Sequence, residues 1–202
     1  MPVAIKCQLE HKGRLEFQSR MCEIGLRTDM PLVECGQFDL LVDGNIRVQM
    51  KMTAKQRKIG IYEVILQKSA GRQNGRVTHR QYECNDFDLL VGGLHDGERV
   101  LGFHVLPMEE LMKRGLVGSQ ERKSGTLTLH APWSSPTQQR SIVAKAQLGK
   151  YFVECFSECQ PPLETKASPL GELQRQHLRS LVLASRRFSD IPEKLTLAML
   201  SS

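Results

Sequence analysis

The chain has 202 residues, 40% hydrophobic and 25% charged, a composition that excludes a disordered or fibrous chain and fits an ordinary globular domain. No run approaches the roughly 18 to 20 continuous apolar residues of a membrane span, and the N-terminal Met-Pro-Val-Ala-Ile-Lys-Cys turns charged too soon for a secretory signal. The net charge of +6 suits a polyanionic partner.

From Gly13 to Leu26 the apolar residues Leu15, Phe17, Met21, Cys22, Ile24 and Leu26 recur at three- and four-residue steps. They predict a helix, which Pro31 should stop by about Asp29. Residues 32–35 and 38–42 predict strands, and Asp43-Gly44-Asn45 a tight turn. Ile46 to Met52 predicts an alternating strand, with Ile46, Val48, Met50 and Met52 on one face and Arg47, Gln49 and Lys51 on the other. These two strands form a hairpin. A further strand is expected at 61–67, a polar loop at 69–76, and a second hairpin from 86–91 and 100–106 joined across Gly92 to Gly97.

Pro107 to Gly115 predicts a short helix, with proline at its start and glycine just past its end. Residues 126–130 read as a strand, Trp133 to Thr137 as a loop, and 138–156 as a helix. Beyond a break at 160–169, an apolar helix is expected around Leu170 to Phe188, then a short one from Pro192 to Leu200. This order predicts an α/β fold, a central mixed sheet flanked by helices with extra C-terminal helices. Residues 1–160 are assigned to the main domain and 161–202 to a C-terminal helical extension. The string Phe-Asp-Leu-Leu-Val occurs at 38–42 and again at 87–91, too short a match to make a repeat.

The charge is concentrated. Residues 47–80 hold nine basic residues (Arg47, Lys51, Lys55, Arg57, Lys58, Lys68, Arg72, Arg76 and Arg80) against the single acid Glu63, while the remainder carries 19 basic and 21 acidic residues. A surface meeting a polyanion has this pattern, whereas a merely solubilising surface mixes both signs. Arg47, Lys55, Arg57, Lys58, Lys68, Arg72, Arg76, His79 and Arg80 are therefore the expected DNA contacts. Aromatic residues make up only 5% of the chain, too few for the stacking platforms that grip single strands, so double-stranded DNA is the expected partner.

The predicted hairpin places Asp39 on one strand and Gln49 and Lys51 on the same face of the next. A carboxylate with an amide or backbone oxygen is a hard-oxygen set suited to Mg²⁺. A nearby lysine can orient the attacking water and offset phosphate charge. Together these are the parts that phosphodiester hydrolysis requires.

The ordered run His11 to Glu16, a helix, Gln37-Phe38-Asp39-Leu40-Leu41-Val42, Arg47-Val48-Gln49-Met50-Lys51, then Asp86 to Val91 and Gly102 to Pro107 resembles PD-(D/E)xK nucleases. It is most similar to the branch in which the central acid is glutamine, which includes group I intron homing endonucleases. The resemblance covers about residues 10–115 and implies a restriction-endonuclease-like core that cuts double-stranded DNA with Mg²⁺, or Mn²⁺ in its place. It implies Glu16, Asp39, Gln49 and Lys51 as the catalytic set, with Glu16, Asp39 and Gln49 at the metal. Cleavage of both strands by one-strand sites implies a homo-oligomer, a dimer or tetramer. The residue before Asp39 is phenylalanine rather than proline, and Gln49 removes one negative charge, which Glu16 is expected to supply. A structure-specific nuclease for branched DNA and a catalytically silent DNA-binding module are the alternatives.

Gly60-Ile61-Tyr62 spells half of a GIY-YIG signature without its second half, and the six histidines show no HxH or HxxxH spacing. The six cysteines, Cys7, Cys22, Cys35, Cys84, Cys155 and Cys159, form no CxxC pair and read as unbridged thiols. A location in the cytoplasm, nucleoid, nucleus or organelle interior is expected, without secretion.

Overall fold

The structure, a computed structural model, describes residues 3–31, 38–54, 56–118, 125–155 and 170–185. Helix α1 (Val3–Glu23) starts ten residues before the expected Gly13. Leu9, Phe17 and Met21 turn toward the core at helical spacing. The helix ends well before Pro31, at a left-handed Gly25 (φ 73°). Leu26 N–H bonds Met21 O at 2.9 Å and Gly25 N–H bonds Cys22 O at 3.0 Å, the paired closure that a glycine past the last turn permits.

Six strands form the central sheet: β1 (Thr28–Asp29), β2 (Leu40–Val42), β3 (Ile46–Thr53), β8 (Leu89–His95), β9 (Val100–Pro107) and β11 (Phe152–Glu154), in the order β1-β2-β3-β8-β9-β11. The β3–β8 pair is parallel and every other pair antiparallel. A second sheet has the order β10-β5-β4, from β4 (Gln56–Lys58), β5 (Ile61–Ile65) and β10 (Thr126–His130). Strands β6 (Gln67–Gln73) and β7 (Arg76–Gln81) pair only with each other.

Both faces of the central sheet are covered. On one, Phe17 and Met21 of α1 and Leu178 and Val182 of α4 (Glu172–Ala184) pack with Val48, Val91 and Phe103. On the other, Leu90 and Leu106 meet Tyr62 and Val64 of β5, Leu129 of β10, Leu111 of α2 (Met108–Lys113) and Leu148 of α3 (Gln139–Gly149). The fold is therefore mixed α/β, with a central mixed sheet flanked by helices. Glycines let the layers approach: a Cβ at Gly13 of α1 or Gly93 of β8 would collide with the Met52 side chain between them.

Three expectations change. The predicted 69–76 loop is the β6–β7 hairpin, turned by Asn74 (φ 52°) and Gly75 (φ 76°). Asn-Gly is the sequence signal for such a turn, here set inside a polar stretch without apolar alternation. Strand β8 runs on through Gly92 and Gly93 to His95, so the turn falls at 96–99, where Asp96 accepts the Glu98 and Arg99 N–H groups at 2.9 Å each. The predicted 138–156 helix stops at Gly149, and Phe152–Glu154 instead pairs with the β9 edge. That edge offers ladder hydrogen bonds to a segment rich in β-formers. The expected strand at 32–35 and the helix beyond Pro192 lie outside the described residues. No helix among the described residues is long and apolar enough to cross a membrane.

Candidate active site

The β2–β3 hairpin forms as expected, with Leu40 opposite Val48 and Val42 opposite Ile46. Strand β2 begins only at Leu40, whereas β3 continues to Thr53 with β8 on its other side. Past Val48, the β2 side of β3 thus has no partner strand among the described residues. Asp39 sits where the two strands part. Its N–H bonds Val48 O at 2.8 Å, and its Oδ2 accepts the Met50 N–H at 2.7 Å. The carboxylate stands in for the missing strand at one ladder position, which fixes its place.

Gln49 is buried at 5% exposure on the face opposite the α1 core. Its Nε2 donates both to Asp39 Oδ2 and to Met50 O, the latter at 3.0 Å. One electropositive N–H₂ group therefore bridges a carboxylate and a carbonyl oxygen. Two hard oxygens converging on one point are a donor pair that Mg²⁺ accepts, and rotation of the Gln49 amide would offer a third. The residues thus fit a divalent cation. No cluster of three or more His, Cys, Asp or Glu side chains suited to a metal exists among the described residues, so water and phosphate oxygens would complete such a shell.

Lys51 lies two residues further along the same face. Its Nζ stands 5.5 Å from the centre of the Tyr82 ring, within the range of cation–π attraction. Tyr82 follows β7 and is buried; burial, with Asp39 and Asp86 nearby, pushes its phenol up. Tyr82 therefore stays neutral and serves as a rigid floor under the ammonium. Lys51 opens on a cavity of about 470 Å³ also lined by Glu10, Thr53, Glu63, Gln67 and His79.

Glu16, expected as a metal ligand, is engaged elsewhere. Its carboxylate holds Arg20, whose guanidinium is 1% exposed and also binds Glu23 and the Cys155 carbonyl. At about 100° per residue, positions 10 and 14 share one helix face and position 16 another. Arg14 Nη2 is 3.9 Å from Asp39 Oδ1, and Glu10 lines the Lys51 cavity. The helix acid beside the site is Glu10. Sequence reasoning missed Glu10, Arg14, Glu63 and Tyr82; Glu10 was within reach of helical spacing had α1 been extended to its true start, and Arg14 already lay within the predicted helix.

The basic stretch divides. Arg47 donates to Asp88 through Nε at 3.0 Å and Nη2 at 2.8 Å, and to Asn85 O. Lys68, 10% exposed, and Arg80 both hold the buried Asp86, at 2.6 and 3.0 Å. Burial alone would raise the Asp86 carboxyl, but hydrogen bonds from Lys68, the Glu83 N–H and Arg80 hold it below the usual range. These three cations, expected at a duplex, are instead engaged in internal ion pairs. Arg57, Lys58, Arg72, Arg76 and His79 are exposed, with Arg57 3.2 Å from Glu63. Lys55 lies outside the described residues. Cys7, Cys22, Cys84 and Cys155 are unbridged.

No known protein family and no curated protein sequence matches this chain. Among solved structures, MepB superposes with a TM-score of 0.50 at 17% identity, covering 73% of this chain and 99% of its own. A bacterial homing endonuclease, I-Ssp6803I, superposes with a TM-score of 0.49 at 21% identity, covering 71% of this chain and 93% of its own. At such identities the likeness concerns the fold, which MepB shares.

Proposed function

We propose that this chain is a Mg²⁺-dependent endonuclease of the PD-(D/E)xK kind that hydrolyses phosphodiester bonds of double-stranded DNA at specific sites. The observation that carries the reading is the convergence of Asp39 Oδ2 and Met50 O on one point, with Lys51 next on the same strand. Asp39, the Met50 carbonyl and the Gln49 amide oxygen would hold the ion, with Glu10 in the role first expected of Glu16. When bound, Mg²⁺ polarises the phosphate and lowers the pKa of attached water. Lys51, steadied over Tyr82, orients the attacking water and offsets charge on the phosphate. A homo-oligomer supplies a second site for the other strand. One observation favours a silent DNA-binding module instead: the Gln49 amide fills the point where the oxygens converge.

Incubation of the full chain with supercoiled plasmid, linear duplex and four-way junctions, with and without Mg²⁺, separates these readings. Nicking or linearisation that needs Mg²⁺ and disappears in Asp39→Ala and Lys51→Ala supports the nuclease. Preference for the junction moves the substrate to branched DNA. Duplex binding without cleavage in either Mg²⁺ or Mn²⁺ overturns the nuclease and leaves the binding module.

A further inference from the structure

The β6–β7 ribbon belongs to neither larger sheet. Its root is clamped: Lys68 and Arg80 lie opposite each other and both hold the buried Asp86. Beyond that clamp, residues 69–79 contain Arg72, Arg76 and His79 and no acid. From Lys68 to Gln73 the strand makes five steps of about 3.3 Å, roughly 17 Å in all. That exceeds the roughly 8.5 Å depth of the B-DNA major groove, whose width of about 12 Å admits a two-stranded ribbon.

The register sorts the side chains. On β7, Val77 and His79 share one face while Arg76, Thr78 and Arg80 share the other. Arg72 is paired with Val77 and so joins the first face. His79 on that face lines the Lys51 cavity. The face carrying Arg72 and the 47% exposed Val77 is therefore continuous with the candidate site. A duplex that placed a phosphate at Lys51 would lie against it.

We infer that the ribbon is the sequence-reading element: its tip enters the major groove, with Arg72 on a guanine edge and Val77 against a thymine methyl. This rests on the duplex-DNA reading above. Arginine in an extended strand reaches the O6 and N7 acceptors of guanine in parallel, and a branched apolar side chain suits the methyl group. Arg76, on the opposite face, meets backbone phosphate. Because Tyr82 directly follows β7 and floors Lys51, docking of the ribbon fixes the register of the site on the DNA.

The test uses the full chain carrying Lys51→Ala, so that binding is read without cleavage, and a duplex pool with a randomised core. Repeated selection should enrich one motif containing guanine. Arg72→Ala should weaken that motif roughly 5- to 150-fold, with unrelated duplexes changed less than about threefold. Replacing the motif's guanine by 7-deazaguanine, which lacks N7, should weaken the parent and leave Arg72→Ala unaffected. Arg76→Ala should weaken all duplexes alike. All three positions are exposed, and circular dichroism checks that each variant folds. An unchanged motif in both Arg72→Ala and Val77→Ala, or indifference to 7-deazaguanine, overturns the inference while leaving the nuclease standing; duplex binding that enriches no motif overturns the inference and the site specificity, and leaves duplex cleavage standing. Absence of duplex binding by the parent overturns both.

Discussion

Asp39 and Asp88, in two copies of the same five-residue string, flank one strand and hydrogen-bond its backbone from opposite sides. Asp39 takes the Met50 N–H at 2.7 Å and Asp88 the Arg47 N–H at 2.8 Å. The difference lies in their counter-charges. Asp88 is buried against the Arg47 guanidinium, whereas Asp39, 29% exposed, has the Gln49 amide and Arg14 at the longer distance of 3.9 Å. The first is a satisfied ion pair; the second keeps capacity for a cation.

Asp88→Asn is therefore expected to lower stability by roughly 2 to 4 kcal/mol, since it strands Arg47. Asp39→Asn should cost under about 1 kcal/mol and abolish cleavage. Urea titration beside a cleavage assay checks both. Equal stability losses would remove the distinction.

At position 49, glutamate would place a second carboxylate against Asp39. Like charges in contact raise the apparent pKa of the pair above its unfolded value. Measured against the parent at each pH, the metal-free Gln49→Glu protein should thus lose stability progressively as pH rises from about 4 toward 7. Mg²⁺ should restore its Tm at pH 7 more than it raises that of the parent. Gln49→Leu, with no oxygen to offer, should impair cleavage. A Gln49→Glu Tm indifferent to Mg²⁺ would count against a cation at this point.

The divided basic stretch predicts two kinds of lysine variant. Lys58→Ala should flatten the dependence of log K on log[salt] by about 0.9, one phosphate's worth, without changing Tm. Lys68→Ala should lower Tm by leaving the 2% exposed Asp86 with Arg80 as its remaining cation, and should leave the slope nearly intact. The triple variant of Lys55, Arg57 and Lys58 should flatten the slope by up to about three units. Anisotropy over a salt series and thermal melts separate the two behaviours.

His104 gives the fold an acid limit. It lies fully buried on β9 with its ring 5.0 Å from that of Phe152, and burial pushes its imidazole down to about 4. The folded value is below the unfolded one of about 6.5, so its contribution is complete above pH 6.5 and is lost as pH falls through 4. The loss amounts to roughly 3 kcal/mol. His104→Phe should make stability between pH 6.5 and 4 flatter than in the parent, read by urea titration across that range.

The sequence by itself determined what is local. Strict alternation from Ile46 to Met52 set the two faces of β3, the Asp43-Gly44 turn set the hairpin, and together they brought Asp39 beside Gln49. Helical spacing located α1, and the proline and glycine at its ends located α2, while the apolar run located α4; spacing missed where α1 begins and that Gly25 ends it. Tertiary structure decided the rest, because periodicity states which face a residue occupies but not what covers that face. It buried Gln49, set Glu10 rather than Glu16 beside the Lys51 cavity, and drew Arg47, Lys68 and Arg80 into pairs with Asp86 and Asp88. Those acids lie up to 41 residues away in the chain, and a charge count along the sequence has no term for such distant neutralisation. Two identical strings thus became a candidate metal ligand and a buried ion pair, according to which cation the fold placed within reach of each.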